Sequence, residues 1–382
     1  MEHLFYTEKE IRLKEEISKF LSKELGPIQN DINQKKEIPI ALIRKMGKMG
    51  IYGPLIPEAY KGTNLGIIAH CIITEEISKL NVAASVTRTP CILDAYTLTK
   101  FGTEEQKQKY LTKLAMAEKL SSICITEEGA GSDAAGIKSI AKKEGDEYIL
   151  NGSKRFITNA GLADYYLIWC VTNTRVDPHQ GMSVFLVEKG TPGFTIENPY
   201  GLLGLNGVVN GILQLNDVRI PAKNLIGAEG NGFQILMSTF NVERITLSSE
   251  CNGISLGALE ASKRYAKTRI QFGKPIAGFQ AIQLKIAYMA TQLRAARLLT
   301  YSAAKLANLN FPYTKEASMA KAFASKAAVD IALEAVQIHG GDGYTDQYPV
   351  ERYLRDAKFF QIGGGTSEIQ NLIIAREELK ES

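Results

Sequence analysis

The sequence predicts an α+β protein with several domains: a helical N-terminal domain, a middle β domain and a C-terminal four-helix bundle. The main observation is the period of the apolar residues. It is helical over 1–119, changes to two over 120–228 and is helical again over 229–382. The length of 382 residues and the 45% hydrophobic content allow more than one core. We expect three domains with these boundaries, the middle one a small barrel or sandwich.

The N-terminal segment shows two helix-start patterns and one clear loop. Thr7 with Glu10, and Thr103 with Gln106, have the spacing of a capping box, and helical periodicity follows each pair. The stretch "IYGPLIPEAYKGTNLG" at 51–66 is rich in Pro and Gly and reads as a loop. We therefore expect helices on both sides of an irregular connection.

The middle and C-terminal segments are separated by their apolar period. Strands are predicted in "SSICIT", "EYILNGSKRFITN", "DYYLIWCV", "MSVFLVEKG" and "GILQLNDVRIP", which are divided by Gly, Asn, Asp and Pro turns. Long helices are then predicted over 231–268, 275–308, 314–339, 349–362 and 366–380.

Composition excludes several kinds of function. A net charge of +4 with evenly scattered charges argues against nucleic acid as a partner. The four histidines lack metal-ligand spacing, and the five cysteines show no disulfide pattern. No apolar run is long enough for a membrane span, and the acidic start lacks the apolar segment of a signal peptide. We expect a cytoplasmic protein with neither metal nor membrane.

Five glycine-rich or polar loops join the predicted elements: "CITEEGAGSD", "RFITNAG", "TRIQFGKP", "QIHGGDGY" and "GGGTSEIQ". Glycine lets a backbone approach a flat ring or a pyrophosphate, and the N–H groups at a helix start favour anions. Each loop alone is weak evidence, since most Gly-rich turns are simply turns, but the five together and in this order are specific.

In this order the loops closely resemble the acyl-CoA dehydrogenase family. "CITEEGAGSDAAG" and "QIHGGDGYTDQYPVERYLRDAK" are similar to its two signatures, and the likeness extends through "NGSKRFITNAG", "RIQFGKPIAGFQ" and "GGGTSEIQNLIIARE". The resemblance implies the three-domain fold named above, bound FAD, and a homotetramer assembled as a dimer of dimers.

The resemblance also implies the flavin contacts. Around the isoalloxazine ring they are Thr126, Ser132, Phe156 and Thr158. The pyrophosphate and adenosine contacts, some of them to the flavin of a neighbouring subunit, are Arg269, Gln271, Phe272, Gln280, Gln337, Gly340 and Gly341. Thr366 and Glu368 are expected to close the site.

The base that many family members carry before the final "GTS" is missing, because Gly364 stands there. Either the homologue is inactive, or another carboxylate reaches the same α proton. Glu243 is the candidate, since it interrupts an apolar stripe that includes Phe240 and Leu247. The isovaleryl-CoA-dehydrogenase-like branch carries its base on this helix, one residue before an Arg, which Arg244 matches.

In this interpretation Gly364 keeps a backbone role, because its N–H can donate to the thioester oxygen as negative charge develops there. Burial should raise the pKa of Glu243 towards neutrality, which suits a general base. Arg244 is expected near the substrate.

The acyl group and the electron acceptor stay open. Arg88 is a candidate contact for a carboxylated acyl group, whereas Glu250 suggests a small polar one. The substrate is then a short, branched, cyclic or polar acyl-CoA, or an aminoacyl group such as prolyl on a carrier protein. Electrons pass to an electron-transferring flavoprotein or to oxygen. The alternative from another class is a flavin-binding scaffold without turnover.

Overall fold

The computed structural model describes residues 2–198 and 200–380. Its N-terminal part is helical, and both predicted capping boxes, at Thr7 and at Thr103, are present. The two central helices of this part are buried along most of their length and form its core. The helices are α1 (Glu2–Phe5), α2 (Glu8–Glu24), α3 (Gln29–Lys35), α4 (Ile40–Lys48), α5 (Gly66–Leu80), α6 (Val82–Phe101) and α7 (Glu104–Ala115).

The middle part is one mixed sheet of β1 (Ser121–Cys124), β2 (Ile140–Glu144), β3 (Glu147–Thr158), β4 (Tyr165–Val171), β5 (Met182–Glu188), β6 (Phe194–Glu197), β7 (Asn210–Pro221) and β8 (Leu225–Ile226). The order is β6-β7-β3-β2-β4-β5-β8, and β1 pairs in parallel with β4. The five predicted strands are confirmed. The sequence did not predict β2, β6 and β8, which are short; β2 buries only Ala141.

A β-bulge in β3 shapes the edge of this sheet. The pairing of β3 with β7 shifts register between Lys154 and Ile157. Within the shift Phe156 adopts a left-handed backbone with φ of +56°, and its side chain is 51% exposed. Because a bulge redirects a side chain away from the regular alternation, Phe156 points out of the domain at the end of β3.

The C-terminal part is a helical bundle around α10, which packs against the other four helices. Its elements are α8 (Gly232–Thr268), β9 (Ile270–Gln271), β10 (Lys274–Pro275), α9 (Gln280–Asn308), α10 (Thr314–His339), α11 (Val350–Phe359) and α12 (Ser367–Glu378). The prediction that α9 begins at 275 is wrong, because a 3₁₀ turn follows Pro275. The predicted fold class is confirmed.

Helix α8 connects all three parts of the molecule. Its Leu236 packs in a core with the sheet, Ile245 packs in a core with α5 and α6, and Ile254 lies in the core of the bundle. Three separate cores therefore fix the position and the rotation of this helix. In the described residues, no helix has the length and hydropathy needed to cross a bilayer.

Glycines on α8 allow α5 to come close. A Cβ atom at Gly253 would lie 2.5 Å from Ser78 Cβ and 2.6 Å from the Glu75 carbonyl oxygen. These separations are far below van der Waals contact, so any side chain there would push the two helices apart.

We predict that Gly253→Ala destabilises the protein by about 1–3 kcal/mol, the usual cost of overpacking a core. This loss would occur although alanine favours a helix over glycine by about 1 kcal/mol. Urea denaturation monitored by circular dichroism measures it. Gly129→Ala is the matched control, because a Cβ atom at Gly129 meets nothing within 4 Å. A Gly253→Ala protein as stable as the control would contradict the prediction.

Candidate active site

The glycine loop between α11 and α12 lies against α8 at Glu243. A Cβ atom built on Gly364 would be 3.5 Å from the Glu243 carboxyl carbon and 2.2 Å from Leu247 Cδ1. The backbone at Gly364 has φ of +64°, a conformation that favours glycine. The structure therefore places the Glu243 carboxyl group next to the point where a side chain at position 364 would begin.

The environment of Glu243 favours a carboxyl group that can exchange a proton near neutral pH. The residue is half-buried, and its Oε2 atom is enclosed without a hydrogen-bond partner in the described part of the chain. Burial raises the pKa of Glu243 to about 7, although the charges of Arg244 and Lys321 act in the opposite direction. A general base works best with a pKa close to the operating pH.

Side chains of α10 and α12 hold the backbone of the glycine loop by hydrogen bonds to its carbonyl oxygens. The buried Lys321 ammonium donates to the Gly365 carbonyl oxygen. The Gln370 amide donates to the carbonyl oxygens of Gly364 (3.1 Å) and Gly365 (3.2 Å). Across the described residues, the Gly364 N–H has no hydrogen-bond acceptor. The loop therefore offers a free N–H donor beside the Glu243 carboxyl.

The loop that follows β1 is fixed to β3 by a buried cation. Lys154 is fully buried, and its Nζ donates to the Ile125 carbonyl oxygen (3.2 Å) and to Glu127 Oε1 (2.7 Å). The Arg155 N–H donates to the Thr126 carbonyl oxygen at 2.8 Å. Thr126, an expected ring contact, is thereby held beside the bulge that carries Phe156.

Asn159 fixes the end of β3 against α6. Its Nδ2 donates to the carbonyl oxygens of Thr87 (2.8 Å) and Ser121 (3.2 Å), and Ser122 Oγ donates to the Thr158 carbonyl oxygen (2.6 Å). Since α6 also packs against α8, it connects the strand ends with the helix that carries the candidate base. The expected contact Ser132 lies on the exposed part of the loop after β1.

A second group of expected flavin contacts forms a surface pocket of about 270 Å³. It is lined by Tyr265, Arg269, Gln271, Ile276, Ile338, His339, Gly340, Gly341 and Asp342. A Cβ atom on Gly340 or Gly341 would meet nothing within 4 Å, so bare backbone faces open space beside the Arg269 guanidinium. This combination fits a pyrophosphate, which needs close backbone approach and positive charge.

The other expected contacts lie at element ends and are exposed, except for the half-buried Thr366. Phe272 occupies the turn between β9 and β10, Gln280 begins α9 and Gln337 lies in the last turn of α10. Thr366 caps α12 by accepting from the Ile369 N–H. The pKa of Glu368 is lowered by a hydrogen bond from its own backbone N–H and then by the Thr366 hydroxyl.

Arg88, an expected substrate contact, has its hydrogen-bond partners inside the protein. The side chain is fully buried, and Nε donates to the Ile51 carbonyl oxygen at 2.9 Å. Its Nη1 donates to Thr74 Oγ1 at 3.1 Å, and its Nη2 donates to His70 Nδ1 at 3.0 Å. With all three nitrogens committed to α5 and to the loop before it, Arg88 has no surface to offer a ligand.

The other two expected substrate contacts also lie inside the protein. Arg244 Nη1 donates to Asn241 Oδ1 at 2.6 Å, and burial lowers the pKa of Arg244 to about 10. Glu250 is fully buried between α8 and α6.

Sequence reasoning missed the residues that support the site. Lys154 and Asn159 stand inside the recognised "NGSKRFITNAG" motif, and Gln370 stands inside "GGGTSEIQ", so a search for polar residues within motifs would have found them. The sequence indicates only weakly that Lys321 is buried: it stands on a helix among the small residues Ala317, Ala320 and Ala324.

Comparison with known proteins agrees with the fold. Three sequence profiles match: "Acyl-CoA dehydrogenase, N-terminal domain" over residues 7–118, the middle domain over 122–218 and the C-terminal domain over 230–379. An acyl-CoA dehydrogenase of Bacillus subtilis is 44% identical over 376 residues, which covers 97% of this chain and 98% of the relative.

Solved structures are similar over nearly the full chain. Butyryl-CoA dehydrogenase from Megasphaera elsdenii has a TM-score of 0.95 and 37% identity, with 98% of both chains covered. The prolyl acyl carrier protein oxidase AnaB has a TM-score of 0.92 and 31% identity, covering 98% of this chain and 99% of its own. PigA with FAD and proline has a TM-score of 0.95 and 29% identity, with the same coverage.

The three-part fold, the open glycine backbone beside Arg269 and the buried carboxyl group define a flavin-dependent oxidoreductase that acts on CH–CH bonds. The chain belongs to the acyl-CoA dehydrogenase family. FAD is its cofactor, and when bound it supplies the hydride acceptor that the side chains lack.

Proposed function

We propose that the protein catalyses α,β-dehydrogenation of a short, branched, cyclic or polar acyl-CoA. Glu243 removes the proton from the α carbon, and bound FAD would supply the acceptor for the hydride that leaves the β carbon. One observation carries this proposal: the Glu243 carboxyl carbon lies 3.5 Å from the Cβ position of Gly364, where many family members carry their base. A carboxylate on α8 thus replaces the one missing from the loop.

The chain's own groups would act in concert on the thioester. The Glu243 carboxylate accepts the α proton, and the Gly364 N–H donates to the thioester oxygen as negative charge develops there. Loss of one such donor costs other enzymes about 3 kcal/mol. Arg244 and Lys321 favour the ionised form of Glu243, so that part of the population carries the active carboxylate at neutral pH.

A second copy of the chain would complete the flavin site in a homotetramer. Phe272 and Tyr344 are aromatic, 93% and 91% exposed, and belong to the two segments that line the pyrophosphate pocket. Exposed aromatic side chains beside a ligand pocket are typical of an interface. All five cysteines are free and buried, which fits the proposed cytoplasmic location. We propose an electron-transferring flavoprotein as acceptor, with oxygen as the alternative.

We predict that Glu243→Gln retains its yellow flavin but that acyl-CoA reduces this flavin about 10²–10⁴ times more slowly, the usual contribution of a general base. Stopped-flow absorbance at the flavin band measures the rate. In the wild-type protein the rate should rise with pH through about 7, because the ionised carboxylate is the active form.

Glu260→Gln, on the same helix but partly exposed and paired with Lys79, is the control and should keep the wild-type rate. Undiminished reduction in Glu243→Gln would remove Glu243 from the mechanism. A wild-type flavin that no thioester reduces would favour the scaffold function.

The alternative substrate is an aminoacyl group, such as prolyl, on a carrier protein. The likeness to the prolyl acyl carrier protein oxidase AnaB favours it. We expect a short acyl-CoA to reduce the flavin faster than a prolyl-loaded carrier protein, as measured by anaerobic flavin bleaching with both substrates. The opposite order would establish the carrier-bound substrate instead, and hydrogen peroxide formed without another acceptor would identify an oxidase.

A further inference from the structure

A second buried carboxyl group lies on the same helix as the candidate base. Glu250 follows Glu243 by seven residues, which is about two turns or ~10.5 Å of helix axis. It is fully buried, and its Oε1 accepts hydrogen bonds from Ser85 Oγ and Thr89 Oγ1 on α6, each at 2.8 Å. Its Oε2 is also enclosed but has no hydrogen-bond partner among the described residues.

Within the part of the chain that the structure describes, no cation pairs with that oxygen. Arg88 is the nearest source of positive charge, yet its nitrogens donate to Ile51, Thr74 and His70. Burial raises the pKa of Glu250 to about 7, while the Ser85 and Thr89 hydroxyls and the Arg88 charge oppose that rise. A buried oxygen acceptor without a donor is unfavourable and rare in native proteins. A donor from a ligand would satisfy it.

The position of Glu250 relative to Glu243 makes that ligand an acyl group. Glu243 and Glu250 share one face of α8, and Leu247 lies between them with its Cδ1 next to the glycine loop. An acyl chain whose α carbon lies at Glu243 and that follows this face would meet Leu247 first and Glu250 next. Glu250, Ser85 and Thr89 are all buried, and the two hydrogen bonds that join them form a polar cluster between α6 and α8.

We propose that Glu250, held by Ser85 and Thr89, forms the distal end of the acyl site and selects short acyl thioesters whose far end carries a hydroxyl or an amino group. The terminal donor pairs with Oε2, while a methyl group at the same place leaves this oxygen unpaired. The inference rests on the proposed dehydrogenation and narrows its substrate class.

Matched thioester pairs test the proposal in the flavin-loaded enzyme. 4-Hydroxybutanoyl-CoA has the same number of non-hydrogen atoms as pentanoyl-CoA, and 5-aminopentanoyl-CoA has the same number as hexanoyl-CoA. In at least one pair, we expect kcat/KM for flavin reduction to favour the donor-bearing member at least tenfold. The pair that shows this preference distinguishes a hydroxyl from an amino group.

Glu250→Leu should reverse the preference, because it replaces the acceptor with an apolar side chain. If that variant loses its flavin, Glu250→Gln serves instead and should weaken the preference, most strongly for an ammonium group. Ser249→Ala is the control, since its hydroxyl donates to the Ile245 carbonyl oxygen of its own helix and lies next to the Cys71 thiol, away from the Glu250 carboxyl, and it should keep the wild-type preference. Preference for the alkyl member in both pairs, or selectivity unchanged in the Glu250 variants, would overturn the proposal. If none of the four thioesters reduces the flavin, this inference fails, whereas the proposed dehydrogenation fails only if other short acyl-CoAs are also inert.

A different observation concerns Lys321 of α10. Its ammonium is buried and donates to Gly365 of the glycine loop. The charged or titratable groups around it are Glu243, Arg244 and Cys251 on α8 and Glu368 on α12. A buried cation between two site segments affects both the loop geometry and the charge of the neighbouring carboxylate.

We infer that Lys321 is a positioning residue: it holds the glycine loop against α8, and its charge favours the ionised form of Glu243. This second inference also rests on the proposed role of Glu243. It predicts that Lys321→Gln moves the rising limb of the pH profile for flavin reduction to higher pH, because loss of the cation raises the pKa of Glu243.

Lys321→Arg keeps the charge and should keep the position of the limb. Lys326→Gln, an exposed lysine of the same helix paired with Asp330, should leave the whole profile unchanged. The inference would be overturned if Lys321→Gln lowered the rate of flavin reduction by the same factor at every pH. It would also be overturned if Lys321→Arg moved the rising limb of the pH profile as far as Lys321→Gln does. If Glu243→Gln retains the rising limb, the proposed base itself is wrong.

Discussion

The contact between Glu243 and the glycine loop is the constraint on which the site depends. A side chain at position 364 would collide with Leu247 and crowd the Glu243 carboxyl, so the space admits one carboxylate, from one side only. Because Gly364 and Gly365 both adopt positive φ, the loop can turn its carbonyl oxygens towards Lys321 and Gln370 and leave the Gly364 N–H free. The bare loop and the proposed base on α8 are therefore two consequences of one packing arrangement.

Helix α8 carries the two acidic side chains Glu243 and Glu250 on a face that is packed inside the protein. Three cores hold the helix, so Glu243 and Glu250 cannot turn towards water without breaking packing on another side. A buried polar network lies next to it: Arg88 donates to His70 Nδ1, which leaves His70 Nε2 to donate to Thr246 on α8. Burial, and then the charge of Arg88, keep the pKa of His70 well below its usual value, so this link stays neutral. A neutral link can fix α8 without adding charge near the base.

The residues assigned to the flavin form two groups with different surroundings. Apart from Ser132, the expected ring contacts lie at or just beyond strand ends that Lys154 and Asn159 fix internally, so one chain can organise them before any ligand binds. The pyrophosphate contacts line an open surface pocket beside exposed aromatic side chains. A cofactor shared between two subunits would require both kinds of contact. One group must be held in place within a single chain, and the other must stay exposed so that a second chain can assemble over it.

The sequence by itself determined the local features. The capping boxes at Thr7 and Thr103 and the five predicted strands could be recognised because their sequence patterns lie within a few residues of one another. The inward position of Glu243 could also be predicted from the sequence, since an apolar stripe indicates which face of a helix is buried. Only the tertiary structure decided what each buried polar side chain meets: Arg88 lies among α5 partners rather than substrate, and Lys321 reaches Gly365 across 44 residues of sequence. Periodicity shows that a side chain is buried, but its partner depends on how distant segments pack, and no local pattern records that.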